Sequence, residues 1–94
     1  MDRTYPSALL AKILAERDYQ NEKYGPVGTP DHCGPGGHSL AGWLIVIEKE
    51  LAEAKDAATG NGRREKTGRN TTRAEIVQIA AVCFAALEQW GMDE

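Results

Sequence analysis

No stretch of this 94-residue chain is long and apolar enough to span a bilayer. The longest, Ile79 to Leu87, falls far short of the roughly 20 residues a crossing helix needs. Cysteine is scarce, with Cys33 in a glycine-rich segment and Cys83 in an apolar one; one bridge is conceivable, but two cysteines without a signal peptide point to free thiols in a reducing compartment. Basic residues are not in excess: the net charge of −3 excludes broad attraction to nucleic acid. No run alternates apolar and polar residues with period two, so a sheet is not expected, and no segment repeats. The opening MDRTYPSALLAKILAERD carries acids early and lacks the apolar centre of a secretory signal. The expectation is one small cytoplasmic, non-membrane domain spanning residues 1–94.

What is present is helical periodicity. The first helix is predicted from Pro6, which suits a first turn, to Tyr24, where Gly25-Pro26 stops it. Leu9, Leu10, Ile13 and Leu14 form its apolar face. The same stripe continues as Arg17, Gln20 and Tyr24, so it either emerges into solvent or borders a polar site. The second helix is predicted over 39–58, with Leu40, Trp43, Leu44, Ile47, Leu51 and Ala54 as its core stripe. Glu50 and Glu53 lie on a flank of that stripe beside Val46 and Ala57, whereas Lys49 and Asp56 point away. The third helix is predicted over 72–90. From Ile76 to Leu87 its only polar side chain besides the cysteine is Gln78. A helix apolar on all sides needs cover on all sides, which two neighbours cannot supply. A homo-oligomer is therefore expected, with Phe84, Leu87 and Trp90 as interface anchors. The fold class is all-α: a three-helix unit with a helix-two/helix-three hairpin in an oligomeric bundle.

Two connections separate the helices. The first, over 25–39, holds five glycines and three prolines and reads as a functional flap or an unstructured segment. The second, over 59–71, is basic: Arg63, Arg64, Lys66, Arg69 and Arg73 crowd into and just beyond it, opposed by Glu65 alone. It reads either as a solvated hairpin tip or as a phosphate clamp. For the clamp, Arg69, Asn70 and Arg73 are best placed, because they lead into a helix N-terminus.

The residues richest in chemistry are Glu50, Glu53, Glu75 and Gln78. Residues three apart share a helix face. If the two helices pack antiparallel, all four side chains converge, and a hard cation such as Mg²⁺ seeks such an oxygen cluster. Each acid also has an ordinary reading. Glu50 and Glu53 suit a solvated flank, and Thr72-Arg73-Ala74-Glu75 fits a capping box in which Glu75 reaches back to the N-cap amide. Gln78 has no such alternative, since a buried glutamine must find partners. His32, Cys33 and His38 are potential zinc ligands, but their spacing matches no standard finger. The GPGGHS run lacks the ending of a phosphate loop. Tyr5, Tyr19, Tyr24 and Trp43 are candidates to stack a base; Trp43 lies on the core stripe, leaving Tyr24 as the better one.

The Glu50-Leu51-Ala52-Glu53 and Glu75-Ile76-Val77-Gln78 segments resemble the ExxE and ExxD signature of the MazG-like, all-α nucleotide pyrophosphohydrolases. Trp43-Leu44, the EKELAEA run and AEIVQIAAV carry the likeness over residues 40 to 90. The ERDYQNEKYG segment resembles small phage and bacterial proteins of this kind. The resemblance implies a dimer-built helical bundle, with Mg²⁺ on Glu50, Glu53 and Glu75, and hydrolysis of a nucleoside triphosphate to monophosphate and pyrophosphate. Gln78 departs from the signature: its amide can still ligate but brings no charge and cannot act as a base. Two alternatives stand beside the enzyme. One is a silent relative that binds and sequesters a signalling nucleotide; the other is a helical interaction module.

Overall fold

The computed structural model describes residues 6–59 and 71–91. Three helices follow in order: α1 (Ser7–Tyr24), α2 (Leu40–Thr59) and α3 (Thr72–Trp90). Their bounds fall within a residue of the periodicity. Among the described residues there is no strand, only an isolated bridge between Gly28 and Cys33. None of the described helices is long and apolar enough to cross a membrane.

α3 is the central element, packing against both α2 and α1. Trp43 meets Gln89 at one end of the hairpin, and Glu50 and Glu53 meet Glu75 at the other, so α2 and α3 are antiparallel. The core is small: Val27 from the connecting loop, Trp43, Val82 and Ala85, with Val46, Ile47, Ala86 and Trp90 half-buried against them.

The buried face of α2 keeps Trp43, Ile47 and Ala54 of the predicted stripe but not its leucines. Trp43, Ala54 and Ala57 are buried, whereas Leu40, Leu44 and Leu51 are exposed. The packed seam runs Trp43, Val46, Glu50, Ala54, Ala57, through the flank that carries the acids. Hydropathy found the widest apolar arc; α3 occupies one edge of that arc and leaves the other open. α1 departs in the same sense. Its Leu9, Leu10 and Leu14 are exposed, and its buried residue is Arg17. On α3, Ile76, Phe84 and Leu87 form the open flank. Trp90 is not a free anchor there, because its indole Nε1 donates to the His38 carbonyl at 2.9 Å.

The N-terminus of α3 is set one residue earlier than the capping-box expectation. Thr71 is the N-cap: its hydroxyl accepts from the Ala74 amide at 3.0 Å. Glu75 therefore lies one position beyond where a capping-box acid sits, and its side chain is buried. The loop over 25–39 is ordered by its own hydrogen bonds, including Gly34 N to the Val27 carbonyl and Gly36 N to the Pro26 carbonyl. Gly28 takes a φ of 78°, and a Cβ there would strike the His32 carbonyl, so no other residue fits that turn.

Candidate functional site

A cavity of about 470 Å³ opens between the three helices and the loop. Its walls can be followed element by element. From α3 come Glu75, Gln78, Val82 and Ala85; the spacing of three, four and three is one face of the helix. From α2 come Trp43, Val46, Lys49, Glu50 and Glu53. From α1 come Glu16, Arg17, Tyr19, Gln20, Lys23 and Tyr24, and from the loop Gly25, Val27, Pro35, Gly36 and His38.

The acids gather as their spacing predicts. One oxygen each of Glu50, Glu53 and Glu75 lies within 4.8 Å of the others. Glu75 is 4% exposed, Glu50 half-buried and Glu53 exposed, so the cluster runs from the protein interior to its surface. The Glu50 carboxyl is pushed up from 4.5 to about 7. Burial is the largest cause, followed by the Glu53 charge, a hydrogen bond with Glu53 and the Glu75 charge, with Lys49 acting in the opposite sense. Glu50 Oε2 is inaccessible to water and has no hydrogen-bond partner among the described residues. An orphaned buried oxygen within a crowd of carboxylates is the chemistry a divalent cation relieves, and the donor set is all oxygen, as Mg²⁺ prefers. The residues present thus fit such an ion. Gln78 lines the same cavity, one turn on from Glu75.

The α1 stripe resolves toward the polar site. Arg17 is 4% exposed and donates from Nε and Nη2 to both Glu88 oxygens, at 2.7 and 2.8 Å. It also donates to Asn21 Oδ1 at 3.0 Å and Gln20 Oε1 at 3.3 Å. With four of its five N–H donors engaged, the guanidinium ties α1 to α3 and borders the cavity. Tyr24 lines the cavity mouth. The Lys23 ammonium lies 5.2 Å from the Tyr24 ring centre and 5.9 Å from that of Tyr19.

Gln89 fixes the loop end. It is 3% exposed, and its Oε1 accepts both the Trp43 indole N–H at 2.7 Å and the His38 amide at 2.9 Å. The His38 ring packs edge-on against Trp43, with centroids 4.7 Å apart. His38 is thus a loop-end residue, and its group with His32 and Cys33 does not converge. Among the described residues the three acids alone bring three metal-type side chains together. Both cysteines are free.

Of the expected basic clamp only Arg73 lies among the described residues. Arg73 is exposed and does not line the cavity; Arg69, Asn70 and Tyr5 lie outside the described residues. Among the described residues, the cations on the cavity wall are Arg17, Lys23 and Lys49. Sequence reasoning missed Lys23, Lys49, Glu88 and Gln89. Gln89 carried a signal: it continues the Gln78, Val82, Ala85 face, so a second polar residue stood on the buried seam. Lys49 keeps the outward position its helical angle predicts, yet its length brings it to the cavity rim.

No protein-family model, curated protein or solved structure matches the chain. The chemistry of the site rests on its geometry.

Proposed function

We propose that the protein is a Mg²⁺-dependent nucleotide pyrophosphohydrolase of the MazG-like kind, releasing a nucleoside monophosphate and pyrophosphate. The observation that carries this reading is the convergence of Glu50, Glu53 and Glu75 on one side of a nucleotide-sized cavity. Small-molecule sites typically measure roughly 300–1,000 Å³. Glu50, Glu53 and Glu75 would hold the cation, with the Gln78 amide as a neutral fourth oxygen. A bound divalent cation offsets phosphate charge and activates water. Lys49, beside the acids, pairs with phosphate oxygens, and Tyr24 offers its ring to the base. The overall step adds water across the bond between the α- and β-phosphates, and the proton leaves to solvent. The assignment places the protein in the cytoplasm, with nucleoside triphosphates as ligands. We also propose that it self-associates, because Ile76, Phe84 and Leu87 leave a flank of the central helix in water.

One observation favours a second reading. Gln78 occupies the cavity where the signature has an acid, so the α2–α3 cluster holds three carboxylates rather than four, and the cavity's other carboxylate, Glu16, stands on α1 outside that cluster. A protein that binds a nucleotide and keeps it intact fits that charge set. The two readings separate in one incubation with a panel of nucleoside triphosphates and cyclic nucleotides, with and without Mg²⁺, analysed by mass spectrometry. Monophosphate and pyrophosphate formed only with Mg²⁺, and lost in Glu53→Gln, support the enzyme. Intact nucleotide retained on the protein supports sequestration. Neither product nor retained ligand rejects both readings and leaves a helical interaction module.

A further inference from the structure

Arg17 is a buried cation whose guanidinium is held in one plane by the two Glu88 oxygens. A guanidinium offers only N–H groups, so whatever meets it must accept. The Gln20 carbonyl oxygen does so, taking a hydrogen bond from Arg17 Nη1 at 3.3 Å. That contact decides which way round the Gln20 amide sits: Oε1 toward Arg17 and Nε2 away from it. No described residue accepts from Gln20 Nε2, and the half-buried side chain lines the cavity. Two N–H groups of an amide with a fixed sense are therefore left for whatever the cavity holds. Asn21 Oδ1 also accepts from Arg17, but Asn21 is exposed and does not line the cavity.

The place of Gln20 says which part of a nucleotide it meets. It stands four residues before Tyr24 on the same face of α1, and side chains so spaced are about 5–6 Å apart at Cβ. The acids and Lys49 stand on α2 and α3, so the phosphates belong to the other walls. With a base against the Tyr24 ring, the Gln20 amide reaches the edge of that base. Lys23, beside Tyr24, is also a donor only. Glu16, the carboxylate on this wall, lies two helical turns from Tyr24.

We infer that Gln20 selects the base: its amide donates to a ring carbonyl, so the site takes bases with a keto edge, such as uracil and hypoxanthine, over their amino counterparts, cytosine and adenine. An amino group at that edge would set N–H against N–H and leave both without an acceptor. Arg17 and Glu88 act through Gln20, as positioning residues. The inference rests on the nucleotide reading above and adds to it which bases are accepted.

The test uses the α,β-methylene analogues of UTP, CTP, ITP and ATP. Their first two phosphates are joined by carbon and cannot be hydrolysed apart, so binding is read free of turnover. Within each pair, uridine against cytidine and inosine against adenosine, the two differ in the keto or amino edge alone. Isothermal titration with Mg²⁺ present gives dissociation constants for the wild type, Gln20→Glu and Gln20→Leu. The wild type should bind each keto analogue about tenfold more tightly than its amino counterpart. Gln20→Glu keeps an oxygen for Arg17 but puts a second oxygen where the N–H groups were, so the order should reverse. Gln20→Leu should bring both ratios to within about twofold of one. Far-UV circular dichroism and Mn²⁺ binding should be unchanged in both variants, which separates lost recognition from a disturbed fold. A wild type that binds none of the four analogues overturns this inference together with the nucleotide reading. Binding without preference in either pair, or a preference that Gln20→Glu leaves as it was, overturns the inference and leaves the nucleotide reading standing.

Discussion

At the scale of the residue, Glu50 sets the behaviour of the site. Its carboxyl titrates near 7 in the folded chain against 4.5 as a free side chain. The folded state therefore holds a proton that the unfolded state gives up between those values. The stabilisation that this proton brings is complete below about pH 4.5 and is lost as the pH rises through 7. Glu50→Gln removes the charge but keeps the shape. In cation-free buffer at pH 8 the variant should melt a few degrees above the wild type, a gap that closes near pH 5; thermal denaturation at the two values measures it. A lower melting temperature for the variant at pH 8 would contradict the crowding of carboxylates. Arg17 makes the opposite case, since its charge is buried and matched. Glu88→Ala strips the guanidinium of both strong acceptors and should cost about 1–3 kcal/mol, moderated because the Glu88 side chain is 45% exposed. Denaturant unfolding reads that loss directly. Part of this was legible beforehand: three acids at helical spacing on two segments announced the cluster, and Arg17 stood on a stripe that should have been apolar. Glu75 had two good local explanations, and position alone decided between them. Thr71 is the N-cap, and Glu75, one position past the capping-box place, is buried.

At the scale of the element, the helices were legible almost to the residue, because proline, glycine and periodicity mark their ends. Their faces were less so. α2 carries apolar residues over a broad arc, and hydropathy gives the centre of the arc without saying which edge meets α3. The choice was made by small residues: Ala54 and Ala57 allow close approach, so the seam runs through them and carries Glu50 inward. Locally, the loop over 25–39 reads as a flap or an unstructured segment. Its turns are held by hydrogen bonds within the loop, and its far end is pinned at His38 by Gln89, about fifty residues away in sequence, which no local pattern around the loop could show. Gln89→Leu should orphan the Trp43 indole and the His38 amide, each at about 1–3 kcal/mol. Amide exchange should accelerate across the loop and the first turn of α2 while the middle of α3 stays protected. Uniform loss of protection would mean global unfolding rather than release of the loop.

At the scale of the whole molecule, the three helices arrange charge around one cavity: acids at the α2–α3 seam, Lys49 beside them, and Lys23 with two tyrosines on α1. Lys49→Ala should weaken nucleotide retention about tenfold without altering the fold, because the ammonium is exposed and touches the rest of the site only through its charge on Glu50. Equilibrium dialysis against a labelled nucleoside triphosphate measures it, and unchanged retention would place the phosphates elsewhere. This wall of cations was illegible in sequence, where the basic run before α3 was the louder signal. It became visible only when α1 was laid against the hairpin. The claim on which the rest depends is that the acid cluster is a cation site. Isothermal titration of the purified chain with Mn²⁺ as a Mg²⁺ surrogate, at pH 6 and pH 8, tests it most directly. The account predicts binding that strengthens from pH 6 to pH 8 as Glu50 gives up its proton, and that disappears in Glu75→Gln. Absence of binding at pH 8, or binding that Glu75→Gln leaves intact, would contradict it.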